Sequence, residues 1–401
     1  MKFFMNRFTP TIHHLQVMGG IALLGVLLMN IQTYGLVSPW HSSHWLNLDQ
    51  SGSYVPVAFF LSLFIKGQFE LMVGVVAGLW FNLQWQTDTE NGLNAHRSAK
   101  HRLTFLLGLG LVHSLLFWFG NELLTYALLG YTLLYFQKQS LTSLRNWIVG
   151  LTFLALFIPL GLSLIPLKTA PQEILHLKPV KSVWVLMRTQ FTAIRLHCQL
   201  ELGHYSVAFL LKEIMLLAGL MASKLDIAYR LSQIKVRFSL LMVLLFPIAF
   251  IIKSFSVLLE LELVSLPIDI LPYRRPLIIL SGFLGTLLVT LVYLLEIGLN
   301  GYLKPVGWSR LLGGVGQAGL SNYLLQPLLC TLFFYGHGLG PTDRLTLPEL
   351  LGVGVVIYAL EVLLSFLWLA KYGQGPIEWL YNRITYGKPS LVDATPTKDS
   401  Q

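Results

Sequence analysis

Long apolar runs separated by short basic loops dominate this chain. Stretches of near-spanning length lie at about 17–37, 55–83, 103–119, 122–137, 146–167, 204–223, 238–256, 277–297, 313–335 and 349–371. Crossing the roughly 30 Å hydrocarbon core of a bilayer takes about 20 apolar residues in a helix. Lipid offers no partner to a backbone N–H or C=O, so such runs must satisfy their backbone internally, as helices. The expected fold is all-α: a polytopic transmembrane bundle of about ten helices. Composition agrees, with 12% charged and 54% hydrophobic residues. A soluble domain carries about 25% charged residues. A soluble enzyme with one anchor is therefore excluded.

Charge placement predicts the orientation. With the N-terminus in the cytoplasm and alternation thereafter, the cytoplasmic segments hold Lys2 and Arg7, then Arg97, Lys100 and Arg102, then Lys138 and Arg145. Lys224, Arg230, Lys235, Arg237, Lys304, Arg310 and the tail follow on the same side, while the first two outer loops hold no Lys or Arg. This is the positive-inside pattern of a multi-pass membrane protein with both termini cytoplasmic. It accounts for the net charge of +9 without nucleic acid, for which no basic patch with interleaved aromatics exists. The start, MKFFMNRFTP, resembles a signal-peptide n-region, but no small-residue cleavage site closes the following run. That run is read as a retained first helix. Three regions are expected: 1–235 with about six helices, 236–388 with the rest, and a loose tail at 389–401. No repeat period appears, and Cys198 and Cys330 form no paired motif.

Ionisable groups at membrane depth are costly and mark candidate sites. Lys66 and Glu70 are spaced to share one helix face. Lys212 and Glu213 are adjacent, so they point apart and need separate partners. Lys253 and Glu296 fall near helix ends, where side chains snorkel to the interface. His113 precedes the turn with Asn121 and Glu122 and is a candidate general base, because imidazole titrates near neutrality. His41, in the first outer loop beside His44, is a second candidate base; the pair has no third ligand for a metal.

The segment from Gly316 to Gly340 carries Gln317, Ser321, Asn322 and Gln326 within an apolar run. Residues one turn apart share a side, so these groups form a polar stripe. Gly313, Gly314, Gly316, Ala318 and Gly319 allow close helix approach, and Pro327 should kink the helix. Interhelical hydrogen bonding and the lining of a substrate cavity are both open readings.

Five stretches resemble the family called domain of unknown function 418: GGIALLGVLLMNI, KGQFELMVGVVAG, GLVHSLLFWFGNELLTYALLG, GQAGLSNYLLQPLLCTLFFYGHGLG and GPIEWLYNRITYG. The resemblance covers nearly the whole chain. It extends distantly to membrane-embedded acyltransferases, which implies a bundle of about ten helices and acyl transfer to a hydroxyl. Asn30, Lys66, His113, Asn322, Gln326, Glu378 and Trp379 keep the family pattern. Gln16 stands where the pattern has an acid, Gly19 and Gln317 where it has arginines, and Asn121 where it has aspartate.

The functional expectation is acyl transfer to a hydroxyl acceptor of an envelope lipid or glycan. His113 or His41 would be the base, and Asn30, Lys66, Asn121, Glu122, Gln317, Asn322 and Gln326 would contact substrate. No metal or resident cofactor is implied; an acyl donor such as acyl-CoA would be a substrate. A transporter or lipid-handling protein, or an inactive membrane partner, is the alternative. The bilayer is the expected partner, nucleic acid is not, and oligomeric state is unassigned.

Overall fold

The computed structural model describes residues 2–35, 52–118, 120, 122–163, 191, 206–227, 235–300, 307–334 and 345–386. Among them every regular element is helical. In chain order these are α1 (Lys2–Gly35), α2 (Tyr54–Phe64), α3 (Gln68–Glu90), α4 (Ala95–Leu116), α5 (Glu122–Phe136) and α6 (Leu141–Ser163). There follow α7 (Ser206–Lys224), α8 (Lys235–Glu260), α9 (Arg274–Asn300), α10 (Gly307–Gln317), α11 (Gly319–Phe334), α12 (Leu347–Tyr372) and α13 (Pro376–Tyr386). The end of the bundle where α1 starts is called proximal below, the other distal.

Among the described residues, six helical segments are long and apolar enough to cross a membrane: Ile12–Gln32, Tyr54–Glu90, Leu141–Gly161, Met242–Glu260, Leu271–Ile297 and Leu347–Tyr372. The chain is thus a membrane protein whose described residues are all-helical. α5 is apolar but shorter. Its 15 residues extend about 22 Å at 1.5 Å per residue.

Local chemistry sets the boundaries. Asn94 accepts from Arg97 N at 3.1 Å and starts α4. Thr346 and Glu349 form a capping box at the start of α12, which stops at Gly373 with φ +72°. The second span breaks at Lys66-Gly67, where Gly67 has φ +87°. This break corrects the expectation that Lys66 and Glu70 share a helix face. Lys66 sits in the turn and pairs with Glu260 of α8. Lys253 is also corrected. Instead of snorkelling it is buried and donates to Thr286 Oγ1 at 2.6 Å. α11 runs on through Pro327; the interruption is at Ala318, between α10 and α11.

Glycines bring backbones together. A Cβ on Gly316 would run into the Gln16 carbonyl of α1, and one on Gly20 into the Leu312 carbonyl of α10. Gly78 and Gly219 pack α3 on α7 in the same reciprocal way. The largest core cluster joins Leu23, Leu27 and Ile31 of α1 to Val315, Cys330 and Leu350, so the first helix shares its core with the C-terminal ones.

Candidate functional site

A cavity of about 380 Å³ opens within the bundle, walled by α1, α3, α4, α5, α7, α10, α11 and α13. On α1 its lining runs from Leu15 to Val26, and on α3 from Glu70 to Gln84. At 1.5 Å per residue those spans are about 16 and 21 Å, so the cavity is elongated along the helices. Leu23, Val73, Val76, Leu106, Leu133 and Leu216 make its middle apolar.

The distal end is acidic and aromatic, with Glu70, Glu122 and Tyr126. Glu122 begins α5 and pairs with Lys212 of α7 at 2.6 Å. Its backbone N donates to Tyr323 Oη at 2.8 Å, and Tyr126 Oη donates to the Glu70 carbonyl at 2.7 Å. Glu213 turns the other way and accepts from Thr132 Oγ1 at 2.7 Å, so the adjacent Lys212 and Glu213 do find separate partners.

The proximal end holds Gln16, Gln84, Arg102, Gln317, Glu378 and Tyr381. Arg102 Nη1 lies 2.7 Å from Asp88 Oδ2 and 2.8 Å from Tyr386 Oη, which itself donates to Asp88 Oδ1 at 2.8 Å. This closed triangle ties α3, α4 and α13 together. Tyr381 Oη donates to Gln84 Oε1 at 3.2 Å. Burial pushes its phenol up to about 12, which keeps it protonated. Glu378 closes the break between α10 and α11. Its Oε1 accepts from the backbone of Leu320 at 2.6 Å and Ser321 at 3.0 Å, and its Oε2 from the Ser321 hydroxyl. A carboxylate at a helix N-terminus satisfies donors that lack intrahelical partners and meets the positive end of the dipole.

The stripe residues divide between these roles. Gln317 lines the cavity and donates to the Gly373 carbonyl at 2.7 Å. Asn322 is buried and donates to the Val315 carbonyl at 2.9 Å, a group the helix break releases, and to Ser365 at 2.8 Å. Gln326 is buried and donates to the Leu23 carbonyl at 3.2 Å and to Glu361 Oε2 at 3.1 Å. Neither Asn322 nor Gln326 is in the cavity wall.

His113 is 2% exposed, and neither ring nitrogen has a hydrogen-bond partner among the described residues. It packs against Phe117 at 5.5 Å and Tyr323 at 6.3 Å between ring centroids. Tyr323 lines the cavity, so His113 stands one side chain behind the wall. Asn30 is half-buried on α1 and Lys66 lies at the second span's break, both outside the lining. His41 and Asn121 fall outside the described residues. No cluster of three metal-ligating side chains occurs among the described residues.

Sequence reading passed over Arg102, Gln84 and Tyr381. Arg102 counted only as a topology charge, although it directly precedes an apolar run. One sequence signal did converge. Gln16, Gly19 and Gln317, the positions read from sequence as departures from the pattern the chain resembles, all line this one cavity.

The family model described as "Protein of unknown function (DUF418)" matches residues 208–388. The uncharacterized protein YeiB of Escherichia coli (strain K12) is 29% identical, over 91% of this chain and 94% of its own length. The uncharacterized protein YxaH of Bacillus subtilis (strain 168) is 24% identical, over 95% of this chain and 97% of its own. No solved structure matches. Residues 208–388 thus match the DUF418 family model, and the chain as a whole is similar to these two uncharacterized proteins over nearly their full lengths.

Proposed function

We propose that this protein transfers an acyl group to a hydroxyl acceptor of an envelope lipid or glycan, holding the acyl-bearing arm of the donor in the central cavity. The observation that carries the reading is the cavity itself: elongated, apolar in the middle and polar at both ends. Such a shape suits a chain with a polar head better than a sugar or an ion. In this reading the protein sits in the bacterial inner membrane with both termini cytoplasmic. The four spans beyond the six long apolar ones come from α4, α5, α7 and the α10–α11 pair. The donor enters from the proximal, cytoplasmic end.

His113 is the base in this reading. It takes the acceptor hydroxyl proton as that oxygen attacks the acyl carbonyl, and returns it to the departing donor group. Tyr323 must turn aside for the imidazole to reach the cavity. Both of its ring nitrogens are buried without a hydrogen-bond partner among the described residues, one side chain from the cavity.

The second reading is lipid handling without chemistry. It is favoured by Asn322 and Gln326, whose amides are committed to interhelical hydrogen bonds rather than to the cavity. Mass spectrometry of envelope lipids and glycans separates the two. A deletion strain lacking one acyl increment, restored by the wild-type chain and not by folded His113→Ala, supports transfer. An unchanged acyl profile in the deletion strain refutes it.

A further inference from the structure

We infer that Arg102 anchors the anionic head, a phosphate or comparable oxyanion, of the amphiphile whose tail fills the cavity. The inference rests on the cavity taking an amphiphile and adds the charge of its head. Arg102 forms part of the proximal wall, and the residue is 3% exposed. Its Nη1 is committed to Asp88 and Tyr386, while its Nη2 has no hydrogen-bond partner among the described residues. A buried guanidinium nitrogen with no acceptor is costly, and an oxyanion is the acceptor that guanidinium geometry fits best.

The neighbouring carboxylates do not reverse this. Asp88 accepts from Arg102 on one oxygen and from Tyr386 on the other. Glu378 faces the start of α11, accepting from Leu320 and Ser321. The oxygens of both carboxylates are thus occupied, while Arg102 Nη2 is left without an acceptor among the described residues. The remaining proximal lining is neutral: Gln16, Gln84, Gln317 and Tyr381. Among the described residues of the wall, Arg102 is the cation.

The test uses the full-length protein in lipid nanodiscs and native mass spectrometry with four probes: decyl phosphate, decanol, decyltrimethylammonium and inorganic phosphate. The wild type should prefer decyl phosphate over decanol by about tenfold or more, the worth of one charged hydrogen bond. The cationic probe should bind more weakly than decanol. Arg102→Gln alone strands Asp88 in the interior, so the deciding variant is Asp88→Asn with Arg102→Gln, which removes both charges. That variant, monodisperse and folded, should bind decanol as before and lose the phosphate preference. A preference that survives in it overturns the anchor. Wild-type binding of decanol without any phosphate preference also overturns the anchor and leaves the cavity reading standing. No binding of either ten-carbon probe removes the cavity reading itself. Inorganic phosphate binding as tightly as decyl phosphate overturns the amphiphile in favour of a free anion.

Discussion

Lys212 Nζ lies 2.6 Å from Glu122 Oε2, joining α7 to the first residue of α5 inside the bundle. Lys212 is 3% exposed and Glu122 20%. Removing one partner from such a pair leaves an uncompensated buried charge, which costs about 3–5 kcal/mol. Lys212→Met should therefore lower the thermal midpoint sharply in detergent. Adding Glu122→Gln to the same chain should recover most of the loss. Equal stability of the single and double variants would show that the pair is not coupled.

Glu378 is the cap of the broken helix. Glu378→Ala removes the acceptor of two backbone N–H groups and of the Ser321 hydroxyl. The expected cost is about 1–2 kcal/mol. Hydrogen exchange should localise it, with faster exchange at Leu320 and Ser321 and little change in α12.

Gly316 has no room for a side chain. A Cβ there meets the Gln16 carbonyl and forces α1 and α10 apart. Gly316→Val should cost more than about 3 kcal/mol, at the top of the overpacking range, and reduce the monodisperse yield. Gly150→Ala, at a position with open space around it, is the matched control and should be neutral or better.

Gln326 and Glu361 form a buried hydrogen bond at 3.1 Å. Glu361→Gln keeps an acceptor for the Gln326 amide and should cost little. Gln326→Leu strands Glu361 Oε2, while the Leu23 carbonyl keeps its place in the α1 ladder, and should cost about 1–3 kcal/mol. Comparing the two thermal midpoints checks this ordering.

The helical, membrane-spanning nature of the chain was legible from apolar runs alone, because lipid leaves the backbone no other choice. So was the separation of Lys212 from Glu213, which follows from helical geometry. Less legible was which polar residues face the cavity. Asn322 and Gln317 differ by five positions, yet one bonds within the core and the other lines the cavity. The break at Ala318 decides this by releasing the Val315 carbonyl to Asn322, and no periodicity argument foresees it. Arg102 stayed hidden for a different reason. A basic residue at the edge of an apolar run serves topology by default, and only its burial with Asp88 distinguishes it. Lys253 misled in the opposite direction: its position near a helix end suggested a route to water, but Thr286 of the adjacent helix supplies a partner indoors.

The pairing of Glu122 with Lys212 also orders the birth of the protein. α5 is synthesised long before α7, so at first its leading carboxylate has no ammonium to meet. A carboxylate without its counter-charge resists entry into hydrocarbon. Until α7 emerges, α5 enters the bilayer at least cost with that terminal carboxylate held at the surface or protonated. The charge pair that fastens the finished bundle is thus one that only a later helix can complete.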